Sequence, residues 1–106
     1  MMNMGNMGKM MKQVQKMQAD MAKLEEELAT RTVESTAGGG LVRAVANGRQ
    51  EITAIEIKPE AVDPEDVETL NDLVLAAVNN ALQEAKKMAT NEMARVTGGM
   101  NIPGLF

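Results

Sequence analysis

Residues 41–59, LVRAVANGRQEITAIEIKP, decide the fold of this chain. Asn47-Gly48 lies between two segments rich in apolar and β-branched residues, and this dipeptide is the strongest short signal for a β-hairpin. Leu41 to Ala46 alternate as one strand. Residues 50–58 form the next strand, which Pro59 ends because proline cannot donate to a sheet.

A third strand precedes the hairpin. Residues 31–36, RTVEST, are compatible with a short strand, although the signal is weaker than in the hairpin. Ala37-Gly38-Gly39-Gly40 then predicts a turn, because glycine reaches positive φ angles freely. Two tight turns in succession predict a three-stranded antiparallel meander with the strand order 1-2-3.

One helix precedes the three strands in the sequence, and a second helix follows them. The first helix is predicted over residues 8–29, which are rich in Gln, Lys, Glu, Ala and Met. The second follows Asp63, which suits the N-cap, and Pro64, which suits the first helical position. We expect it to extend to about Val96, and either to break near residues 89–91 or to project beyond the sheet.

These elements predict an α+β fold with an α-β(3)-α subunit whose meander is covered by helices. Residues 1–106 then form a single domain. Within it, residues 1–7 are expected to be flexible, and Thr97-Gly98-Gly99 to cap the second helix. Residues 98–106 form a short apolar C-terminal tail.

The first helix carries a regular apolar seam, in which the residues are separated alternately by four and three positions. This heptad spacing is typical of a helix that packs against another helix. The seam consists of Met10, Val14, Met17, Met21, Leu24 and Leu28. We interpret it as a dimer interface with a second copy. Packing on the chain's own sheet or second helix is the alternative.

The composition excludes several classes of function. The 106 residues contain no Cys and no His, so disulfides, thiol or imidazole catalysis and the usual zinc sites are excluded. We therefore predict no enzyme, no cofactor and no metal site. No apolar run approaches the roughly 20 residues of a membrane span, and no signal peptide is evident, so we expect a cytoplasmic protein without a membrane partner.

The core must also be unusual, because Phe106 is the only aromatic residue. Aromatic side chains normally contribute much of the buried area of a small domain. Without them a core of about 100 residues is marginal. Burial against a second copy of the chain would compensate, which favours a homodimer.

The chain resembles the YbaB/EbfC family of bacterial nucleoid-associated proteins over nearly its whole length. The resemblance rests on an ordered set of segments: MGKMMKQVQKMQADMAKLEEEL (7–28), AGGGLVRAVANG (37–48), ITAIEIKPEAVDPED (52–66), LNDLVLAAVNNALQEAKKMA (70–89) and TGGMNIPG (97–104). It implies an α-β(3)-α subunit and a tweezer-like homodimer. It also implies binding to double-stranded DNA and a role in nucleoid organisation or gene regulation.

Candidate DNA-contacting residues are the cations of the two helices. The net charge is −4, yet the first 19 residues contain no acid. The candidates are Lys9, Lys12, Lys16 and Lys23 of the first helix, opposite the seam, and Lys86, Lys87 and Arg95 of the second. Ammonium groups can replace the counterions condensed on DNA. The alternatives are a solvated face for the first set and stabilisation of the helix dipole for the second.

Two functions follow for the molecule as a whole. The first is a non-enzymatic, homodimeric DNA-binding protein of the nucleoid, which contacts mainly the phosphate backbone. The alternative is a protein-interaction adaptor that binds DNA weakly or not at all. In that case the acidic second helix and the apolar tail would contact another protein.

Overall fold

The computed structural model describes residues 4–96 of the chain, and side chains from Met7 onward. Its elements are α1 (Met4–Thr30), β1 (Thr32–Ala37), β2 (Val42–Asn47), β3 (Ile52–Ile57), a 3-10 turn (Pro59–Ala61) and α2 (Val67–Val96). The strands form one antiparallel sheet in the order β1-β2-β3. The predicted α-β(3)-α subunit is therefore confirmed. The predicted C-cap at 97–99 and the tail at 98–106 lie outside the described residues.

The core is built from small side chains where α2 crosses β1 and β2. It consists of Val42, Ala44 and Ala46 of β2 and Ala77, Ala81 and Ala85 of α2, none of which is exposed to solvent. The alanines of α2 recur every four residues and therefore lie on one face of the helix. This face lets the helix approach the sheet closely, which explains how the chain forms a core without aromatic residues.

The opposite face of the sheet is polar. Arg43 Nε donates a hydrogen bond to Glu34 Oε2 at 2.7 Å, and Arg43 Nη1 lies 3.0 Å from Glu56 Oε2. These interactions, chiefly the hydrogen bond that Arg43 donates to Glu34, raise the pKa of Arg43 above its ordinary value. A face of this kind is stable in water. The sheet therefore needs an apolar cover on one face only.

α2 begins later than the sequence predicts. Asp63 and Pro64 belong to a β-turn, in which the amide of Asp66 donates to the Asp63 carbonyl at 3.0 Å. Aspartate and proline at the first two positions are typical of such a turn. Asp66 is the N-cap instead, since its Oδ1 accepts a bond from the Thr69 amide at 3.3 Å. From Val67 the helix continues without a break to Val96.

The β2–β3 hairpin is closed by a loop longer than Asn-Gly alone suggests. Asn47 Oδ1 accepts bonds from the amides of Arg49 and Glu51, at 2.9 and 3.1 Å. The residue with positive φ in this loop is Gln50, at 60°. Gly48 is needed for a different reason. A Cβ at this position would lie 2.7 Å from the Cβ of Leu28. The hairpin therefore lies so close to α1 that a residue with a side chain would not fit at position 48.

α1 is only partly packed on the rest of the subunit. Leu24 and Leu28, near its C-terminal end, are 4% and 5% exposed. The molecule is 78 Å long, whereas the 30 residues of α2 span only about 45 Å. The N-terminal part of α1 accounts for the difference, since it runs past the end of α2. We call residues 4–19 of α1 the arm. It begins at Met4, earlier than the predicted residue 8.

Candidate nucleic-acid interface

The arm presents three lysines to solvent. Lys9, Lys12 and Lys16 are all exposed, and they share the side of the helix opposite the seam. Within the described residues, none of them forms an ion pair with a carboxylate. The first acid after them is Asp20. The charged side chains on this side of the arm are therefore all cationic, with about 10 Å between the first and last lysine along the helix.

Lys23 and Arg95 lie where α1 meets the end of α2. Both border a shallow groove that also contains Asp20, Glu27 and Glu92. Arg95 Nη1 lies 2.9 Å from Glu92 Oε2, so its charge is already partly compensated. The groove contains three acids and two bases. We conclude that this junction attracts a phosphate much less than the arm does.

Glu92 connects the two helices electrostatically. Arg31, directly after α1, places its Nη1 2.7 Å from Glu92 Oε1. The bond from Arg31 is the main reason why the pKa of Glu92 lies below its ordinary value. The sequence analysis did not single out Arg31, because no local pattern joins it to a residue so far along the chain. The pair anchors the C-terminal end of α1 to α2.

Lys86 and Lys87 are set back from the arm. Lys87 borders a groove with Arg31, Thr32 and Val33 at the start of the sheet, and its Nζ lies 3.6 Å from Glu84 Oε1. Lys86 is exposed on α2 beside Thr90 and Gln83. These two lysines precede Arg95 by eight and nine positions, which is about 12 Å of helix. The structure therefore does not bring the seven predicted cations into one cluster.

The seam divides into a covered and an uncovered part. Leu24 and Leu28 are buried within the chain itself, which leaves little of either side chain for a second subunit. Met17 and Met21 are half-buried. Towards the N-terminus the seam is open to solvent, and Met10 is 66% exposed. The heptad pattern thus combines an internal contact with a surface that has no partner within the described residues.

A second uncovered apolar surface lies on β3. Ile55 and Ile57 are paired with Ala44 and Val42, and paired residues of neighbouring strands share a face of the sheet. They therefore point to the same side as the core. They remain 45% and 42% exposed because α2 packs on β1 and β2 and barely reaches β3. We call Ile55 and Ile57 the β3 patch.

Two other classes of site were sought in the structure. Over residues 4–96, no three acidic side chains are grouped so that they could hold a metal ion. Neither helix in the same range has a stretch long and apolar enough to cross a membrane.

Comparisons with known proteins agree with this architecture. Two relatives, both named nucleoid-associated protein, come from Pelotomaculum thermopropionicum and Moorella thermoacetica. The first is 70% identical over 96% of this chain and 97% of its own. The second is 63% identical over 97% of this chain and 99% of its own.

A solved structure has the same fold. It is an uncharacterized protein, HP0035, from Helicobacter pylori, with a TM-score of 0.74 over 92% of this chain and 100% of its own, at 22% identity. The sequence profile of the YbaB/EbfC DNA-binding family matches residues 4–100. From the order of its elements, the relatives and this match, we conclude that the chain belongs to the YbaB/EbfC DNA-binding family.

Proposed function

We propose that this protein binds double-stranded DNA as a homodimer, mainly through the phosphate backbone, and contributes to nucleoid organisation or gene regulation. The observation that carries the proposal is the arm, on which Lys9, Lys12 and Lys16 are exposed and have no carboxylate partner within the described residues. Membership of a DNA-binding family supports the choice of ligand. The names of the relatives support a place in the cytoplasmic nucleoid. The proposal includes no catalytic step and no cofactor.

The acidic net charge does not oppose this function. Residues 59–106 contain eight acids and three bases, so the negative charge is concentrated away from the arm. Lys9 is eleven positions from Asp20, which corresponds to about 16 Å of helix. At physiological ionic strength, interactions between exposed charges are largely screened beyond about 8 Å. A duplex in contact with the arm therefore experiences Lys9 and Lys12 much more strongly than the acids, whereas Lys16 is only four positions from Asp20.

Dimerisation is supported by the uncovered apolar surfaces. A core made mainly of alanines buries little area per residue, so a small subunit of this kind gains from a partner. We place the second copy on the β3 patch, where the inner face of an edge strand is not covered by any helix. Met10, Val14, Met17 and Met21 of the seam are the alternative surface for the second copy. Two copies present two cationic arms, which matches an extended duplex better than a small anion.

The DNA-binding test compares two double variants in fluorescence anisotropy with a random duplex. Lys9→Gln/Lys12→Gln removes charge from the arm, and Arg49→Gln/Lys58→Gln removes the same charge from exposed positions near β3. Each lost phosphate contact reduces the slope of log K against log salt by about 0.9. Because a dimer loses two contacts per substitution, we expect the arm variant to reduce the slope by up to about 3.6. The control should behave like the wild type.

Equal effects of the two variants would show that the arm has no special role. No binding of random duplex DNA at micromolar protein near 0.1 M salt would refute DNA binding altogether. The adaptor function would then be favoured, since the eight acids of residues 59–106 suit a basic protein partner better than DNA.

A further inference from the structure

The arm has an apolar groove that includes the open seam residues Met10 and Val14. Met7, Met10, Met11 and Val14 line it together with Gln15 and Gln18, and all six side chains are exposed. No other part of the described chain covers these apolar residues. Four large apolar side chains at neighbouring helical positions are an uncommon surface for a soluble protein. We call this surface the arm groove.

The arm groove continues an interface that already exists within the chain. α2 packs beside Leu24, and its last residue, Val96, borders the same groove as Leu24 and Lys23. Met10 and Val14 continue the heptad seam of Leu24 along α1, and Met7 and Met11 border these two residues on one side of the seam. α2 ends at Val96, beside Leu24, and therefore does not cover the seam residues nearer the N-terminus of α1. The segment that follows α2 is therefore the part of the sequence nearest to these uncovered residues.

That segment has suitable length and chemistry. The sequence continues after Val96 with ten residues, TGGMNIPGLF, which contain no charged side chain and include the only aromatic residue. Gly98-Gly99 allows the chain to change direction. An extended segment of ten residues reaches about 33 Å. The distance along α1 from Leu24 to Met10 is only about 21 Å.

We propose that residues 100–106 pack into the arm groove of their own chain. Connection through α2 gives the tail an effective concentration in the millimolar range, which favours it over a separate molecule at micromolar concentration. DNA does not compete for the groove, because the arm lysines lie on the opposite side of the helix. The inference does not rest on DNA binding. It concerns what covers the arm rather than what the arm contacts.

The first test uses Phe106→Trp in the full chain, which introduces a single tryptophan. We expect its emission to be blue-shifted relative to free tryptophan and protected from a soluble quencher. Met7→Gln/Met11→Gln should shift the emission to the red, because it makes the groove polar. Lys9→Gln/Lys12→Gln, on the other side of the same helical turns, is the matched control and should leave the emission unchanged.

The second test asks which molecule supplies the tail. The chain has no cysteine, so Met11→Cys/Leu105→Cys introduces the only pair. We expect oxidation to give an intrachain disulfide, seen as a monomer on a non-reducing denaturing gel. Disulfide-linked dimers would assign the groove to a second copy and overturn the proposal. So would a tryptophan whose emission is that of free tryptophan or does not respond to the methionine variants.

Discussion

At the scale of the residue, Gly48 shows how a correct prediction can have a different physical cause. Asn47-Gly48 predicted the hairpin from the preference of glycine for positive φ, and the hairpin is present. Yet Gln50, not Gly48, has the positive φ angle in this loop. Gly48 is held between the hairpin and α1, where its amide donates to the Leu28 carbonyl at 2.8 Å. The sequence could not reveal this contact, because it depends on where α1 ends in space.

We predict that Gly48→Ala destabilises the fold by about 1–3 kcal/mol, the usual range for overpacking. The added methyl group would overlap with the Cβ, Cδ2 and carbonyl oxygen of Leu28, all 2.7 Å away. Urea denaturation measures the change in the free energy of unfolding. Gly8→Ala is the control, since a Cβ there meets no atom within 4 Å and should cause no loss. A Gly48→Ala protein as stable as the control would contradict the close contact.

Glu92 predicts a dependence of stability on pH. Its pKa is lowered mainly by Arg31, so the folded state favours the ionised carboxylate. The stabilisation is present above the ordinary pKa range of glutamate and is lost as the pH falls through the lowered value. We expect Glu92→Gln to reduce the stability at neutral pH, and the difference from wild type to shrink as the solution is acidified.

Urea denaturation at a series of pH values checks this expectation. Glu26→Gln is the control, because Glu26 is exposed and has no ion pair among the described residues. Its difference from wild type should be small at every pH. If the difference in the free energy of unfolding between Glu92→Gln and wild type stays constant on acidification, the ion pair with Arg31 does not contribute to the pH dependence of stability.

At the scale of the element, the packing of α2 was predictable in outline. The sequence shows a wide apolar stripe on this helix, and its residues do face the core. The depth of packing was not predictable, because alanines can face a core or solvent equally well. The start of α2 was misplaced for a similar reason. Asp63 and Asp66 are both suitable caps, and only the turn between them decides in favour of Asp66.

We predict that Ala81→Leu destabilises the protein by about 1–3 kcal/mol, although leucine is a good helix former. Ala81 is completely buried between α2 and the sheet, so a larger side chain must push the helix away. Thermal unfolding followed by circular dichroism gives the measurement. Ala76→Leu, at an exposed position of the same helix, should unfold close to the wild-type temperature. Similar losses in both variants would mean that close packing at Ala81 is not the cause.

At the scale of the whole molecule, sequence and structure answer different parts of the question. The subunit architecture was predicted, because each strand and helix has a local signal. For the candidate site, the sequence indicated which cations are available but not how they are arranged in space. Lys9, Lys12 and Lys16 lie on the arm, whereas Lys86 and Lys87 lie on α2, with Lys87 beside the start of the sheet. Their separation depends on how far α1 runs past α2, and no local pattern encodes that distance.

The homodimer is tested with Ile55→Glu/Ile57→Glu. We expect this variant to remain folded, because both side chains are already partly exposed, and to have the native mass of a single chain. Met10→Glu/Val14→Glu changes the seam in the same way and should leave the dimer intact. The reverse result would return the interface to the seam. A wild-type protein that is monomeric at micromolar concentration would refute the homodimer.

The ion pairs of Arg43 have a consequence for how copies of this molecule can accumulate. One face of the sheet carries paired, hydrated charges. Packing two subunits face to face through this surface would bury these charges, which is unfavourable because they would lose their contact with water. Growth by stacking, the geometry of cross-β fibrils, is closed on that side. Copies of this molecule must therefore associate through other surfaces, of which the β3 patch is the one proposed above.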